Sequence, residues 1–225
     1  MCGRYQLEAE LMEGEDLLGA ILEFRLSPRY NAAPMQHLPI IRREAHGLAA
    51  RILRWGLVPT WAPDQTFAPK MINARSETVR EKPAFRESFR LGRCLIPTTG
   101  FYEWKSHGRH KQPHLIRMKT QKIFAMAGLW SPWSNHETSI ETYSILTVDP
   151  AGAIGDLHHR MPVILTPEAQ HAWLHPDTSA EDLLALLQPR RADELEIFPV
   201  SDRVNTVTND DPQCAQPAAV QQSLL

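Results

Sequence analysis

Long apolar runs are missing from this 225-residue chain, and no stretch approaches the roughly 20 residues that a bilayer-spanning helix needs. Its start lacks the basic residues and apolar core of a secretory leader, and acidic side chains arrive at Glu8 and Glu10. Cysteine is scarce. Cys2, Cys94 and Cys214 are odd in number and follow no metal spacing, which argues against a disulfide scaffold and points to a reducing, cytoplasmic setting. No GxSxG elbow, P-loop or GxGxxG fingerprint occurs. Ten histidines invite a metal, yet neither His107/His110/His114 nor His171/His175 has a cysteine or carboxylate at metal spacing. No metal is expected.

What is present fits one well-filled globular domain: 43% of the residues are hydrophobic, too many for a disordered chain. The net charge of −2 hides an asymmetry. From Arg42 to Arg93 eleven Lys/Arg face five Asp/Glu, and from Asp177 onward nine acidic residues face three basic ones. Such a split suggests a basic face able to hold an anion such as a nucleic-acid backbone.

Leucines and isoleucines at 11, 18, 21 and 22 predict an amphipathic helix over Leu7 to Phe24. Short β-rich runs follow: HLPIIRR, LAARILRWGL, RCLIP, FYEWKS, HLIRMKT, IFAMAGLW, TYSILTV and PVILT. Helices are expected at about Pro83 to Phe89, Pro167 to Leu174 and Ser179 to Leu187, the last with acidic residues in its first turn. Many short strands with few helices indicate an α+β single domain built on a curled mixed sheet or open barrel. Residues 212–225 read as a flexible C-terminal tail.

Several stretches carry candidate chemistry. If Met1 is trimmed, Cys2 presents an amine and a thiol on adjacent carbons, a 1,2-aminothiol that condenses with aldehydes. INARSET places Asn73 and Arg75 on one side of an extended segment, a pair able to grip a sugar or phosphate. In GFYEWK, Glu103 points away from Tyr102 and Trp104, and burial there would raise its pKa toward acid/base work. LHHRMPVIL offers His158 or His159 as a proton carrier and Arg160 as a phosphate ligand. Of the two tryptophans in LRWGLVPTW, Trp55 is assigned to the core, while Trp61 is free to stack on bases.

The ordered series MCGRY, RYNAAP, RWGLVPTW, INARSET, RCLIPTTGFYEWK, QPH, AGLW, LHHRMPVIL and VSDRVNTVTND spans residues 1 to about 211. It resembles the SOS-response-associated peptidase (SRAP) family. That resemblance implies a sensor of abasic sites in single-stranded DNA, in which the N-terminal cysteine closes on the ring-opened sugar as a thiazolidine. It implies Cys2 as nucleophile, Asn73 as orienter, and Glu103 and His158 as proton carriers. It also implies Arg4, Arg75 and Arg160 on the DNA backbone, with Pro34 and Thr147 along the channel. His159 departs from the Asp or Asn that many relatives carry. The expected partner is abasic single-stranded DNA, bound by a monomer with no small-molecule cofactor and no membrane.

Elementary chemistry adds that an α-amine of pKa near 8 and a thiol near 8.5 leave roughly a tenth of the amine reactive at neutral pH. Arg4 is expected to lower both values. Two other readings stay open: a cysteine peptidase using Cys2, His158 and Asn73, and a non-covalent single-strand-binding module using the basic region and Trp61.

Overall fold

The computed structural model describes residues 2–108 and 110–218. Its strands in chain order are β1 (Tyr5–Leu7), β2 (Asp16–Leu17), β3 (Ala20–Ile21), β4 (Arg29–Ala32), β5 (His37–Glu44), β6 (Gly47–Trp55), β7 (Asn73–Arg75) and β8 (Arg93–Thr98). They continue with β9 (Gly100–His107), β10 (His110–Met118), β11 (Phe124–Ser134), β12 (Ser139–Val148), β13 (Met161–Pro162), β14 (Ile164–Leu165) and β15 (Leu195–Pro199). Three helices, α1 (Pro83–Leu91), α2 (Pro167–Leu174) and α3 (Ala180–Ala185), lie outside the sheets.

Strands β12, β6, β5, β8 and β11 pair in that order, and β11 pairs back onto β12, which closes a five-stranded barrel. All its pairings are antiparallel except β12 with β6. Closure removes the free edges that an open sheet of these apolar strands would expose. The β11–β12 hairpin turns at Asn135, whose side-chain oxygen accepts from the Glu137 and Thr138 N–H groups, an Asx-type turn. β7 lies parallel to β12, with Asn73 opposite Ile145.

A second, antiparallel sheet has the order β15-β10-β9-β1-β4. Alternation divides its side chains between two cores. Phe101 and Ile116 join the main core, while Tyr102 and Leu115 pack with Val200, Val204, Cys214 and Ala215 on the other face. The expected strands are all present, and α1, α2 and α3 fall where the helical segments were predicted. Ser179 caps α3 by accepting from the Asp182 N–H, and Thr166 caps α2 likewise.

One expectation fails. Leu7 to Phe24 is not a helix: Gly14, Leu18 and Gly19 all have positive φ, which folds the segment into a bridge between Leu11 and Leu26 and the short β2–β3 pair. Ile21, placed on the predicted apolar stripe, is exposed. Of the expected tail over residues 212–225, residues 212–218 are described. Pro212–Ala215 form a 3-10 turn with Cys214 buried, and the Asp210 carboxylate accepts from the Tyr30 and Asn31 N–H groups. The rest of the predicted tail lies outside the described residues.

Candidate functional site

Strand register brings the N-terminus to Glu103. Tyr5 pairs with Phe101 across β1 and β9, and the Tyr102 N–H donates to the Arg4 carbonyl. Carrying this antiparallel course two residues further reaches Cys2 beside residues 103 and 104. The thiol is fully buried and donates weakly to the Arg4 carbonyl at 4.0 Å. From the barrel side, Asn73 Nδ2 donates to the Cys2 carbonyl oxygen at 3.0 Å. The Asn73 Oδ1 atom is buried and has no hydrogen-bond partner among the described residues, a costly state for an acceptor. Beneath lie Tyr5, Trp55 and Tyr143, all fully buried; the two phenols share a hydrogen bond of 2.9 Å, and Trp55 stacks on Tyr143.

Glu103 is only 3% exposed, on the face of β9 opposite Tyr102. Burial pushes its carboxyl up to about 8, so it carries a proton at neutral pH. Burial likewise pushes the Cys2 thiol up, and Glu103 adds to the effect once it is ionised. The expectation that Arg4 would activate this thiol is thereby overturned. Arg4 turns its guanidinium to Asn31 Oδ1 and the Val204 carbonyl, at 3.0 and 2.8 Å, and desolvation dominates the thiol.

A cleft of about 690 Å³ opens at this point, lined by Arg4, Glu103, Trp104, His158 and His159 among others. The two histidines differ. The Arg160 N–H donates to His158 Nδ1 at 3.0 Å; an amide can only donate, so the neutral ring carries its proton on Nε2. The same Nδ1 lies 3.2 Å from the Arg160 carbonyl, an acceptor for the protonated ring. Desolvation lowers the His158 pKa. His159 is exposed, with its ring centroid 4.2 Å from that of His158.

Other predicted residues are placed less uniformly. Arg75 is exposed at the end of β7, Pro34 is half-buried just after β4, and Trp61 is 53% exposed with its edge against Phe67. Thr147, expected along the DNA channel, is 1% exposed, with its hydroxyl directed at the Ala74 carbonyl. The inward side of β12 holds it there. Arg160 is 5% exposed, and its guanidinium bonds both oxygens of Glu77 at 2.8 Å, Asp149, and the Thr147 carbonyl. It braces the loop that carries His158. The sequence reading missed Glu77 in this role, although its place in INARSET was visible.

Among the described residues, no three His, Cys, Asp or Glu side chains converge as a metal site. No described helix is long and apolar enough to cross a membrane. The three cysteines are free and buried.

The family model for SOS response associated peptidase (SRAP) matches residues 1–207. The chain belongs to the SRAP family. It is 41% identical over 219 residues to the abasic site processing protein YoqW of Bacillus subtilis, covering 95% of this chain and 98% of that one. Against the abasic site processing protein HMCES of Gallus gallus, this SRAP chain is 31% identical over 229 residues, covering 87% of itself and 68% of the relative. A crystal structure of a protein from Bacteroides thetaiotaomicron matches the fold with a TM-score of 0.81 at 29% identity, covering 97% of this chain and 100% of that one.

Proposed function

We propose that the protein senses abasic sites in single-stranded DNA and joins the ring-opened deoxyribose through Cys2 once Met1 is removed. The observation that carries this reading is that buried Cys2 lies between Asn73, which bonds its carbonyl, and Glu103, which lines the His158 cleft. The names of the relatives, abasic site processing proteins, support the same substrate.

The residues suit the steps. The Cys2 amine, freed by loss of Met1, attacks the aldehyde carbon, and water leaves to give an imine. The protonated Glu103 supplies the proton that water needs to depart. The thiol then adds to the same carbon: the C–S bond forms, the C=N bond becomes C–N, and the thiol proton is passed to nitrogen. Because this step is intramolecular, it gains from effective concentration, and a thiol held neutral until the imine forms loses little. His158 Nε2–H faces the sugar as donor during ring opening. Asn73 orients the terminus through the Cys2 carbonyl, leaving Oδ1 to accept from the new amine. Arg4 and Arg75 stand at the cleft and β7 for the strand backbone, with Pro34 and Trp61 as apolar contacts; the brace formed by Arg160 and Thr147 supports them from below. A monomer suffices for this chemistry.

A peptidase of Cys-His-Asn type needs its asparagine on the imidazole. Here Asn73 bonds the Cys2 carbonyl and Arg160 bonds the imidazole, an arrangement that favours the crosslinking reading.

The test is one denaturing gel. Protein incubated with abasic single-stranded DNA is expected to give a boiling-resistant shifted band that intact DNA does not give. Intact mass should show loss of Met1. Adduct formation by Cys2→Ala at the parent level would sink the mechanism.

A further inference from the structure

The basic stretch from Arg42 to Arg93 is only partly used by the Cys2 cleft, and the fold sorts its charges. Arg42 and Arg51 are neutralised by Glu44, Glu141 and Glu23. Arg93 is buried and donates to the carbonyls of Phe89, Arg90, Trp173 and His175. It thereby caps the C-terminal ends of α1 and α2, where a cation suits both helix dipoles. Arg86 and Arg90 are different: both are exposed on α1, and neither forms a side-chain hydrogen bond or ion pair among the described residues. One helical turn apart, they stand about 6 Å from each other along the axis. Glu87, the acid between them, turns away to accept from the Thr60 hydroxyl at 2.9 Å.

These two arginines line a cleft of about 370 Å³ between α1 and α3, with Arg80 on the rim and Phe89, Pro176 and Leu183 as apolar surface. Arg80 is paired with Glu181 at 3.1 Å, but both partners are more than half exposed, so that pair is weak and exchangeable. A cationic rim over an apolar floor matches the chemistry of a nucleotide, with phosphate on the rim and base on the floor. The cleft shares no lining residue with the Cys2 cleft. Arg80 lies only seven positions after Asn73, at most about 25 Å of extended chain. A strand held beside Cys2 is therefore within a few nucleotides of the rim of the α1/α3 cleft.

We infer that the α1/α3 cleft is a second contact site for the nucleic-acid strand, holding a nucleotide that flanks the reacting one, with its phosphate on Arg86 and Arg90. This rests on the reading of the chain as a DNA-processing protein, but the test does not use the covalent step. Full-length Cys2→Ala protein is titrated with a labelled, lesion-free single strand by fluorescence anisotropy across a salt series. Each phosphate contact on a single strand contributes about 0.7 to the slope of log affinity against log salt, so Arg86→Gln/Arg90→Gln, which leaves that one phosphate without its partners, should lower the slope by about 0.7. Binding at low salt should weaken about tenfold or more, and Arg86→Lys/Arg90→Lys should keep most of the slope. Each single Gln variant should give about half the change, which covers the case of an unstable double variant. An unchanged slope overturns the inference. Deoxynucleoside monophosphate binding that depends on Arg86 and Arg90, with the strand slope unchanged, would assign the cleft to free nucleotides and overturn it as well. Absence of the abasic adduct in the parent would instead sink the covalent reading and leave the slope comparison intact.

Discussion

The Cys2 cleft and the α1/α3 cleft are both lined by ionisable side chains, and they differ in where those groups sit. At the first, Glu103 and Cys2 are withdrawn from water, and desolvation moves each away from its ordinary titration range. At the second, Arg86 and Arg90 stay in solvent at the mouth of a half-apolar hollow. Burial converts a carboxylate into a proton donor at neutral pH, whereas an exposed guanidinium remains a charge for binding. The comparison teaches that depth sets the protonation state of the ionisable groups at the first cleft, while at the second their charge stays available to solvent.

After loss of Cys2 itself, the largest effect should come from Glu103→Gln, which removes the buried acid without changing its shape. Adduct formation should fall by about a hundredfold or more, measured as initial rates on abasic strands. With Glu103 titrating at about 8, the parent should lose rate as pH rises through that value, and the variant should lack this limb. Stability should follow the same titration. A carboxyl raised from 4.5 to about 8 binds its proton more tightly folded than unfolded, so its contribution is full below 4.5 and is lost as pH rises to about 8. Melting temperature should therefore drop across that window in the parent and stay flatter in Glu103→Gln. An equal pH response in both proteins would break the contrast.

A smaller effect separates the two histidines. His158→Ala should slow adduct formation about tenfold to a hundredfold, while His159→Ala should stay within about twofold, because Arg160 orients only His158. Equal losses would place the proton carrier elsewhere. Smaller still is Glu77→Gln, which removes one of the two carboxylates from the nearly buried Arg160. Burial pushes Glu77 up, but the Arg160 hydrogen bond and charge outweigh this and hold its carboxyl low. Since Glu77 is itself 45% exposed, the expected loss is about 1–2 kcal/mol by chemical denaturation, below the value for a fully buried pair. Asp149→Asn should cost less, as Asp149 is 80% exposed.

Much of the fold was legible. Runs such as IFAMAGLW and TYSILTV became β11 and β12 because β-branched and apolar residues fill both faces of a closed barrel. The helix predicted over Leu7 to Phe24 was misread because leucine spacing alone was counted, while Gly14 and Gly19, the residues that allow the turns, were passed over. Asn73, Glu103 and His158 were named from their motifs, and the structure places Glu103 and His158 on one cleft and Asn73 on Cys2. Motif order carries no depth, so it leaves open that Thr147, expected along the channel, and Arg160, expected on the DNA backbone, are both buried. Their burial depends on which way β12 faces and on where Glu77 lies, 83 positions before Arg160.

By itself the sequence determined the short-strand α+β architecture, the basic segment and the set of candidate residues, since periodicity and residue type are local properties. Only the tertiary structure decided what state those residues are in. The β1–β9 register sets Cys2 beside Glu103, and their shared withdrawal from water raises both, against the activation expected from Arg4. A pKa is set by solvent access and by charges brought close from distant parts of the chain. Neither quantity is written along the sequence.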